Sequence, residues 1–358
     1  PMKCMHTEPN KIDLKKLSNE IREWSKELGF TKIGITDIQL GKHEEYLNRW
    51  LKKDFHGEME YMKLHGKKRS KPEKLVKGTK RIISVSKDYL PIGFKGKELI
   101  NHPKKAFISS YAQGRDYHKV LRGRLKALVK RIKLSVSSSS RVFVDSAPVL
   151  EKAIAEKAGI GWIGKNTLLM NKNAGSYFFL GEIYTDLDLP IDRPFEGNHC
   201  GSCSACIDIC PTKAFEGPYE LDSRKCISYL TIEFKGSIPK ELRPLMGNRI
   251  FGCDDCQIYC PWNKFAKFSK EDDFRPRYNF ENSELVDLFS WSKAEFLKKT
   301  EGSPIRRAGY ECWLRNIAIA LGNANKTKKI IDALNSRKHF PSALVREHVN
   351  WALNQHLE

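Results

Sequence analysis

The sequence predicts an α+β protein in three parts, on three observations. Short β-type runs alternate with amphipathic helices over residues 1–190, which read as an α/β or α+β domain. Eight of the ten cysteines crowd between Cys200 and Cys260, inside a proline-punctuated stretch spanning 191–275. Residues 276–358 return to helical periodicity. The 358 residues are 40% hydrophobic and 30% charged, enough to build a core in each of two or three domains and too apolar for wholesale disorder. No run reaches eighteen apolar residues, so no membrane-spanning helix is expected, and the charged segment from Lys3 lacks the apolar stretch of a secretory signal. A cytoplasmic location is the expectation.

The elements follow in order. Ile12, Leu17, Ile21, Trp24 and Leu28 share one face of a helix over Lys11–Leu28, which Gly29 stops. Strands are expected at Lys32–Thr36, Arg81–Ser86, Ala106–Ser110 and Arg141–Asp145, with helices at Lys42–Lys53 and Tyr117–Ile132 between them. A helix at Val149–Ala158 precedes two more strands, Thr167–Met170 and Tyr177–Tyr184. Pro190, Pro194, Pro211, Pro218 and Pro239 then break the rhythm, so the middle part needs an inorganic centre rather than side-chain packing at its heart. Beyond Ser303, helices carrying Ile305–Leu321, Lys326–Leu334 and Ser342–Leu353 fit either one or two HEAT-like repeats or an ordinary helical cap.

Charge points to a polyanion. Lys and Arg number 63 against 43 Asp and Glu, a net +20; a nucleic acid is the commonest polyanion such a chain meets, and a lysine-rich proteome that raises the charge of every protein is the alternative source. The helix after His118 carries Arg122, Arg124, Lys126, Lys130, Arg131 and Lys133. A solvated face and a phosphate-facing stripe both fit it.

The cysteines are more specific. Cys200, Cys203, Cys206 and Cys210 are spaced C-x2-C-x2-C-x3-C and followed by Pro211, the bacterial ferredoxin run. In such a run three thiolates hold one [4Fe–4S] cube and the fourth turns to a second cube. Cys253, Cys256 and Cys260-Pro261 repeat the ending, and Cys226 completes the second set. Crossed pairing gives Cys200, Cys203, Cys206 and Cys260 to cluster one, and Cys210, Cys226, Cys253 and Cys256 to cluster two. Structural zinc uses paired C-x2-C knuckles at wider separation, which the two C-x3-C-P endings match poorly. Two [4Fe–4S] clusters make a one-electron conduit. Cys4 and Cys312 are left for inert packing.

Two motifs do not carry the chemistry their form suggests. Gly159, Gly161 and Gly164 match G-x-G-x-x-G, yet they follow a helix and lead to a strand, the reverse of the order a nucleotide site needs. They are expected to admit a flat or bulky ligand close to the backbone. Asp116-Tyr117-His118 begins a D-x-H-x-x-G cobalt-ligating motif, but the sixth position is Leu121, so His118 is expected to be an ordinary surface or core histidine.

Three segments together resemble the epoxyqueuosine reductase family: Val144–Glu151 with Asp145, Ala155–Thr167 with Gly-Trp-Ile-Gly-Lys-Asn, and Gly252-Cys253-Asp254-Asp255-Cys256-Gln257. Ser146-Ala147 stands where Thr-Gly is common in that family. The resemblance covers nearly the whole chain. It implies a reductive dehalogenase-like cobalamin-binding domain over 1–190, a ferredoxin-like double-cluster domain over 191–275 and a HEAT-like domain over 276–358. It further implies reduction of epoxyqueuosine to queuosine at the tRNA wobble position, the last step of queuosine formation, with base-off cobalamin beside the second cluster. Cobalamin contacts carried by the resemblance are Arg69, Tyr111, Asp145, Lys165, Asn166, Ser176, Ser228 and the backbone at Asp254 and Asp255.

Opening an epoxide puts negative charge on oxygen, so a proton donor is needed. Asp145 is the expected acid, kept protonated by burial at the end of a strand; capping the following helix is the competing use of that residue. The partners expected are the anticodon stem-loop and an external one-electron donor, with the chain itself a monomer. Arg306, Arg307, Arg315, Lys326, Lys328 and Lys329 join the basic helix as phosphate contacts. A small-molecule dehalogenase-like enzyme is the alternative reading, and an iron–sulfur RNA-binding or electron-carrier protein without the corrin is the other.

Overall fold

The computed structural model of the chain describes residues 13–357. Cys4 and the first two residues of the expected Lys11–Leu28 helix lie outside them. The helix that follows, Leu14–Glu27, is capped by Asp13, whose carboxylate accepts from the backbone N–H of Lys15 and Lys16 at 3.0 Å. It ends at Gly29, whose φ of +79° suits a residue without a Cβ.

Ten strands follow among the described residues: β1 Lys32–Thr36, β2 Arg81–Asp88, β3 Phe107–Ile108, β4 Ser140–Phe143, β5 Trp162–Ile163, β6 Leu169–Met170, β7 Phe178–Thr185, β8 Phe215–Gly217, β9 Glu220–Leu221 and β10 Arg249–Phe251. The main sheet has the order β1-β2-β7-β4. Every pairing in it is antiparallel, with Ile33 opposite Val85, Val85 opposite Gly181, and Val142 opposite Ile183. The N-terminal domain is therefore α+β rather than α/β, of the two classes that the sequence leaves open. The sequence leaves both open because helices cover both faces of this sheet, so β7 is buried at every residue and β2 at all but its first, as central parallel strands are.

Side-chain alternation sorts the two faces. Phe179 and Ile183 meet Leu121, Leu125 and Leu128 of the helix Tyr117–Ser135. Leu180 and Tyr184 point the other way, toward Ala155 and Ile154 of the helix Glu151–Lys157. Six aliphatic residues of the long helix are buried, each contributing roughly 1.5–3 kcal/mol of gross apolar transfer. That outweighs any helix propensity and fixes which face turns inward. On the other face, a Cβ at Gly34 would stand 1.9 Å from the carbonyl oxygen of Ala158, so glycine lets β1 press against the end of the second helix.

Two expected strands belong elsewhere. The run at 106–110 contributes only β3, which pairs in parallel with β10 of the cysteine-rich part. The run at 167–170 contributes only β6, a hairpin partner of β5. The three-glycine motif serves this hairpin: a Cβ at Gly161 would stand 2.0 Å from the Met170 carbonyl oxygen. The glycines admit the protein's own backbone, not the ligand expected.

Toward the C-terminus, the helix Tyr310–Asn323 is buried along most of its length and packs against Ala343–Gln355. Their core takes in Ile108, Ile232, Ile250 and Phe251 as well as Trp313 and Ile317, tying the last helices to β3 and to the cysteine-rich part. Cys312 is packed in that core, as expected. Among the described residues no helix is long and apolar enough to cross a membrane.

Candidate redox site and adjoining cleft

The eight cysteines gather into two groups. Cys200, Cys203, Cys206 and Cys260 line one cavity of about 380 Å³. Cys210, Cys226, Cys253 and Cys256 line the wall of a second, larger cleft of about 490 Å³. Cys260, distant in sequence from the first three, thus stands with them, while Cys210 has crossed to the other set. Burial pushes the Cys253 and Cys256 thiols well above their usual range. Such thiols become ligands only when a cation displaces their protons, which suits four-thiolate iron–sulfur sites and not free reactive cysteines.

Local sequence builds each ligand position. Cys226 is the N-cap residue of the helix Ile227–Ile232, and Cys256 sits in the single helical turn Asp255–Ile258. Asp254 is buried and accepts from the backbone N–H and hydroxyl of Ser110, both at 2.8 Å, and from the Ser109 hydroxyl. Asp255 holds Arg249 in a two-pronged ion pair at 2.6 and 2.8 Å. Those contacts lock the second cysteine set to β3 and β10.

The opposite wall of the cleft comes from the N-terminal domain. Asp145 lies two residues past the end of β4, not within the strand expected there, and its side chain is 37% exposed. Asp116 caps the helix Tyr117–Ser135, accepting from the His118 N–H at 3.1 Å. The imidazole of His118 lies between two carboxylates, with Nδ1 2.7 Å from Asp116 and Nε2 2.5 Å from Asp145. Tyr117 donates its hydroxyl to the other Asp145 oxygen while its ring stacks on Phe179 at 4.0 Å between centroids. The Arg307 guanidinium closes the group, 2.9 Å from the imidazole.

Electrostatics overturn one expectation. Burial by itself raises the Asp145 pKa, but the hydrogen bond and charge of His118, with Tyr117 and Arg307, outweigh it and hold the carboxyl below its usual value. For His118, burial favours the neutral ring, and the two carboxylates overcome it and raise its pKa. The proton expected on Asp145 alone thus rests on the His118–Asp145 pair, with His118 its resting place. Glu151, on the same cleft wall, is pushed up to about 8 by burial and then by the charge of Asp145.

The other sequence-derived candidates divide. Tyr111, Asn166, Ser176, Ser228, Asp254 and Asp255 line the cleft with Asp145. Ser176 is held by Gln257 Nε2 at 3.0 Å, and the Asn166 amide donates to the Cys256 carbonyl at 3.4 Å. Lys165 instead lines the first cavity, donating to the carbonyls of Gly201 and Cys203 at 2.7 and 2.9 Å, so it braces the loop of the first cysteine set. Arg69 is buried and donates to Tyr61 and Ala147 carbonyls at 3.1 and 3.5 Å, supporting the turn after Asp145. Neither side chain is among those lining the cleft. Of the basic candidates, Arg122, Lys126, Lys130, Lys133, Arg306, Lys326 and Lys328 are exposed. Arg124 binds Glu271, Arg131 pairs with Glu27, and Lys329 pairs with Glu284. Arg315 is fully buried and donates to backbone carbonyls, so it is no phosphate contact. The sequence takes His118 for an ordinary surface or core histidine and gives Tyr117 and Glu151 no role, whereas all three stand at Asp145 or the cleft it lines. The Asp-Tyr-His capping sequence ahead of a long helix was the available signal for the first two.

Two four-thiolate sites beside an acid-and-imidazole cleft define an iron–sulfur oxidoreductase. Residues 199–263 match the family described as a 4Fe-4S double cluster binding domain, and residues 69–146 match the one described as Epoxyqueuosine reductase QueG, DUF1730. The chain is 59% identical over 347 residues to the epoxyqueuosine reductase of Pseudomonas aeruginosa, covering 97% of this chain and 96% of that protein. Its identity with the Escherichia coli epoxyqueuosine reductase is 53% over 348 residues, covering 97% and 91%. Among solved structures, an epoxyqueuosine reductase with a tRNA-Tyr epoxyqueuosine-modified stem loop superposes with a TM-score of 0.87 at 30% identity, covering 96% of this chain and 91% of that one. The Streptococcus thermophilus epoxyqueuosine reductase gives 0.85 at 29%, covering 94% and 90%. The chain belongs to the epoxyqueuosine reductase family.

Proposed function

We propose that this chain reduces epoxyqueuosine to queuosine at the wobble position of tRNA, with two [4Fe–4S] clusters and base-off cobalamin. The observation that carries the reading is one cleft lined both by the second cysteine set and by Asp145, which His118 holds from behind. The cleft fits a corrin by its chemistry: tyrosine rings from Tyr89, Tyr111 and Tyr117 offer flat apolar walls, and the hydroxyls of Ser176 and Ser228 offer partners for amide side chains. Tyr111, Asn166, Ser176, Ser228 and the backbone at Asp254 and Asp255 would hold it. Cobalamin bound there supplies a cobalt centre able to pass electrons to a ring carbon of the substrate.

The chain's own residues manage protons and placement. Asp145 faces the cleft and relays the proton resting on His118 Nε2 to the oxygen that leaves the epoxide. Tyr117 and Arg307 help keep Asp145 ionised, with the charge of Arg307 working against that of His118, and Arg69 fixes the turn that carries Asp145. The exposed lysines and arginines of the helix Tyr117–Ser135 and of the C-terminal part neutralise stem-loop phosphates. We assign 1–190 to cofactor binding, 191–275 to the clusters and 276–358 to a HEAT-like cap, in a monomeric cytoplasmic enzyme fed by an external one-electron donor.

The test is nucleoside mass analysis of stem-loop carrying epoxyqueuosine, after incubation with anaerobically prepared enzyme, cobalamin and a one-electron reductant. Loss of one oxygen from the modified nucleoside is the expected result. An unchanged nucleoside alongside dehalogenation of a small organohalide would replace this reading.

A further inference from the structure

The reaction consumes more protons than the Asp145–His118 pair can hold ready. Converting an epoxide to an alkene breaks two C–O bonds, forms a C=C bond and releases the oxygen as water. It takes two electrons, delivered through the clusters by a one-electron reductant, and two protons, both of which end on that oxygen. The pair described above carries one.

A second group of acids lies directly behind it. Glu182 occupies the centre of the main sheet, opposite Phe143 on β4 and Ser84 on β2, with its side chain on the face covered by the helix Glu151–Lys157. It is fully buried, and neither of its carboxyl oxygens has a hydrogen-bond partner; the Ser84 hydroxyl beside it in register is also buried and unpartnered. An aliphatic side chain would pack better there. Glu151, the first residue of the covering helix, bridges this group to the cleft: it lines the cleft, and its Oε2 is buried without a partner. The groups facing the two acids are Asp145 from the turn after β4, His118 and Tyr117 from the long helix, Lys152 from the same helix as Glu151, and Tyr184 along β7.

Resting on the proposed reaction, we propose that Glu182 and Glu151 form a buried proton store that hands the second proton, through Asp145, to the departing oxygen. A carboxylate at Glu182 would be an unpaired buried charge, so the group holds its proton. Consistently, burial and then the charges of Glu151 and Asp145 push Glu182 well above the usual carboxyl range. The four unpartnered polar atoms of Ser84, Glu182 and Glu151 are groups that internal water would partner, completing a proton path. Glu151, a positioning and relay residue, exchanges protons near neutral pH because its own value lies at about 8.

Two experiments on the full-length, cluster-loaded enzyme test this. Infrared difference spectra at neutral pH, without substrate, are expected to contain a deuterium-sensitive band of protonated carboxyl that disappears in Glu182→Gln, and a second that titrates near pH 8 and disappears in Glu151→Gln. Absence of both bands from the wild type would overturn the store. In single turnover of pre-reduced enzyme, Glu151→Gln is expected to slow conversion by about tenfold and enlarge the solvent isotope effect, with stem-loop affinity unchanged and Glu151→Asp restoring most of the rate. A Glu151→Gln rate, pH profile and isotope effect matching wild type would overturn delivery. A wild type that leaves epoxyqueuosine untouched would overturn the functional reading and the delivery step with it, while the infrared bands would still decide whether the acids store protons.

Discussion

Arg315→Met separates a buried brace from an RNA contact. The guanidinium donates to the carbonyls of Leu230 at 2.7 Å, Gly236 at 2.8 Å and Phe234 at 2.9 Å, and reaches Asn316 Oδ1 at 2.9 Å. Methionine fills a similar length and leaves three carbonyls without donors, each costing roughly 1–3 kcal/mol. Part of that is offset, because the wild type buries a cation with no carboxylate against it, and that burial lowers the arginine's pKa. A net loss of about 3 kcal/mol follows. In a chain longer than 250 residues each kcal/mol shifts Tm by about 2 °C or less, so a fall of about 3–6 °C is expected in calorimetry. Those carbonyls close the segment after Cys226, so iron per chain is also expected to fall on anaerobic purification. Stem-loop affinity measured on the cluster-loaded fraction stays at the wild-type value. An unchanged Tm together with weaker, less salt-dependent RNA binding would refute the reasoning, since that is how a phosphate contact behaves.

Other consequences follow from the site. Asp145→Asn leaves the proton on His118 without its relay, and single-turnover conversion is expected to fall by about 10²–10⁴-fold; a fall under threefold would remove Asp145 from the reaction. Crossed ligation predicts that the double variant Cys203→Ala/Cys260→Ala keeps about half of the wild-type iron and one intact cluster signal in electron paramagnetic resonance, whereas loss of both clusters would mean each motif serves its own cube. His118 and Asp145 stabilise each other over a bounded pH window. The raised His118 contributes fully below about pH 6.5 and is lost as pH climbs through its folded value, while the lowered Asp145 contributes above about pH 3.8 and is lost as pH falls through its own. Urea titrations of His118→Gln should therefore fall furthest below wild type between those limits, and a constant difference at all pH values would contradict the pairing. Affinity for the stem-loop should decline linearly with log salt, and Lys126→Glu with Lys130→Glu should flatten the slope; a slope indifferent to both changes would clear that helix of phosphate contact.

What the sequence revealed depended on whether spacing alone encodes the chemistry. Cluster ligation is written into short intervals between cysteines, and the grouping the spacing gives, Cys260 with the first three and Cys210 with the second set, is also the grouping in which they line the two cavities. Asp145 was legible through its motif, but its protonation was not. The carboxyl's state is decided by His118, 27 positions earlier, and by Arg307, which reaches that histidine across 189 residues. The Asp116-Tyr117-His118 segment resembles a cobalt-ligating motif, and that resemblance hides its use as a helix cap that aims the imidazole at Asp145. Arg315 illustrates the opposite error. Charge in a helical sequence gives no orientation, and a guanidinium can turn inward wherever carbonyls at the end of a neighbouring helix need donors. Strand direction was equally hidden, because a sheet buried on both faces reads the same whichever way its strands run.

The placement of the two cysteine sets bears on how electrons and protons meet. Cys203 is exposed, so the first set can be reached by a donor from solvent, whereas the second faces the cleft and its thiols are strongly desolvated. In the proposed reaction electrons therefore arrive at the cleft from the helix Ile227–Ile232 and the turn Asp255–Ile258, and protons from Asp145, β7 and the helix Glu151–Lys157. An arrangement of this kind lets each electron be matched by a proton at the reacting oxygen without building up charge in a site where an uncompensated charge costs several kcal/mol. It also explains why the polar row through Ser84 and Glu182 is retained inside an otherwise apolar sheet: a sheet filled with valine and leucine at those positions would be more stable and would leave the proton wall with nothing to deliver.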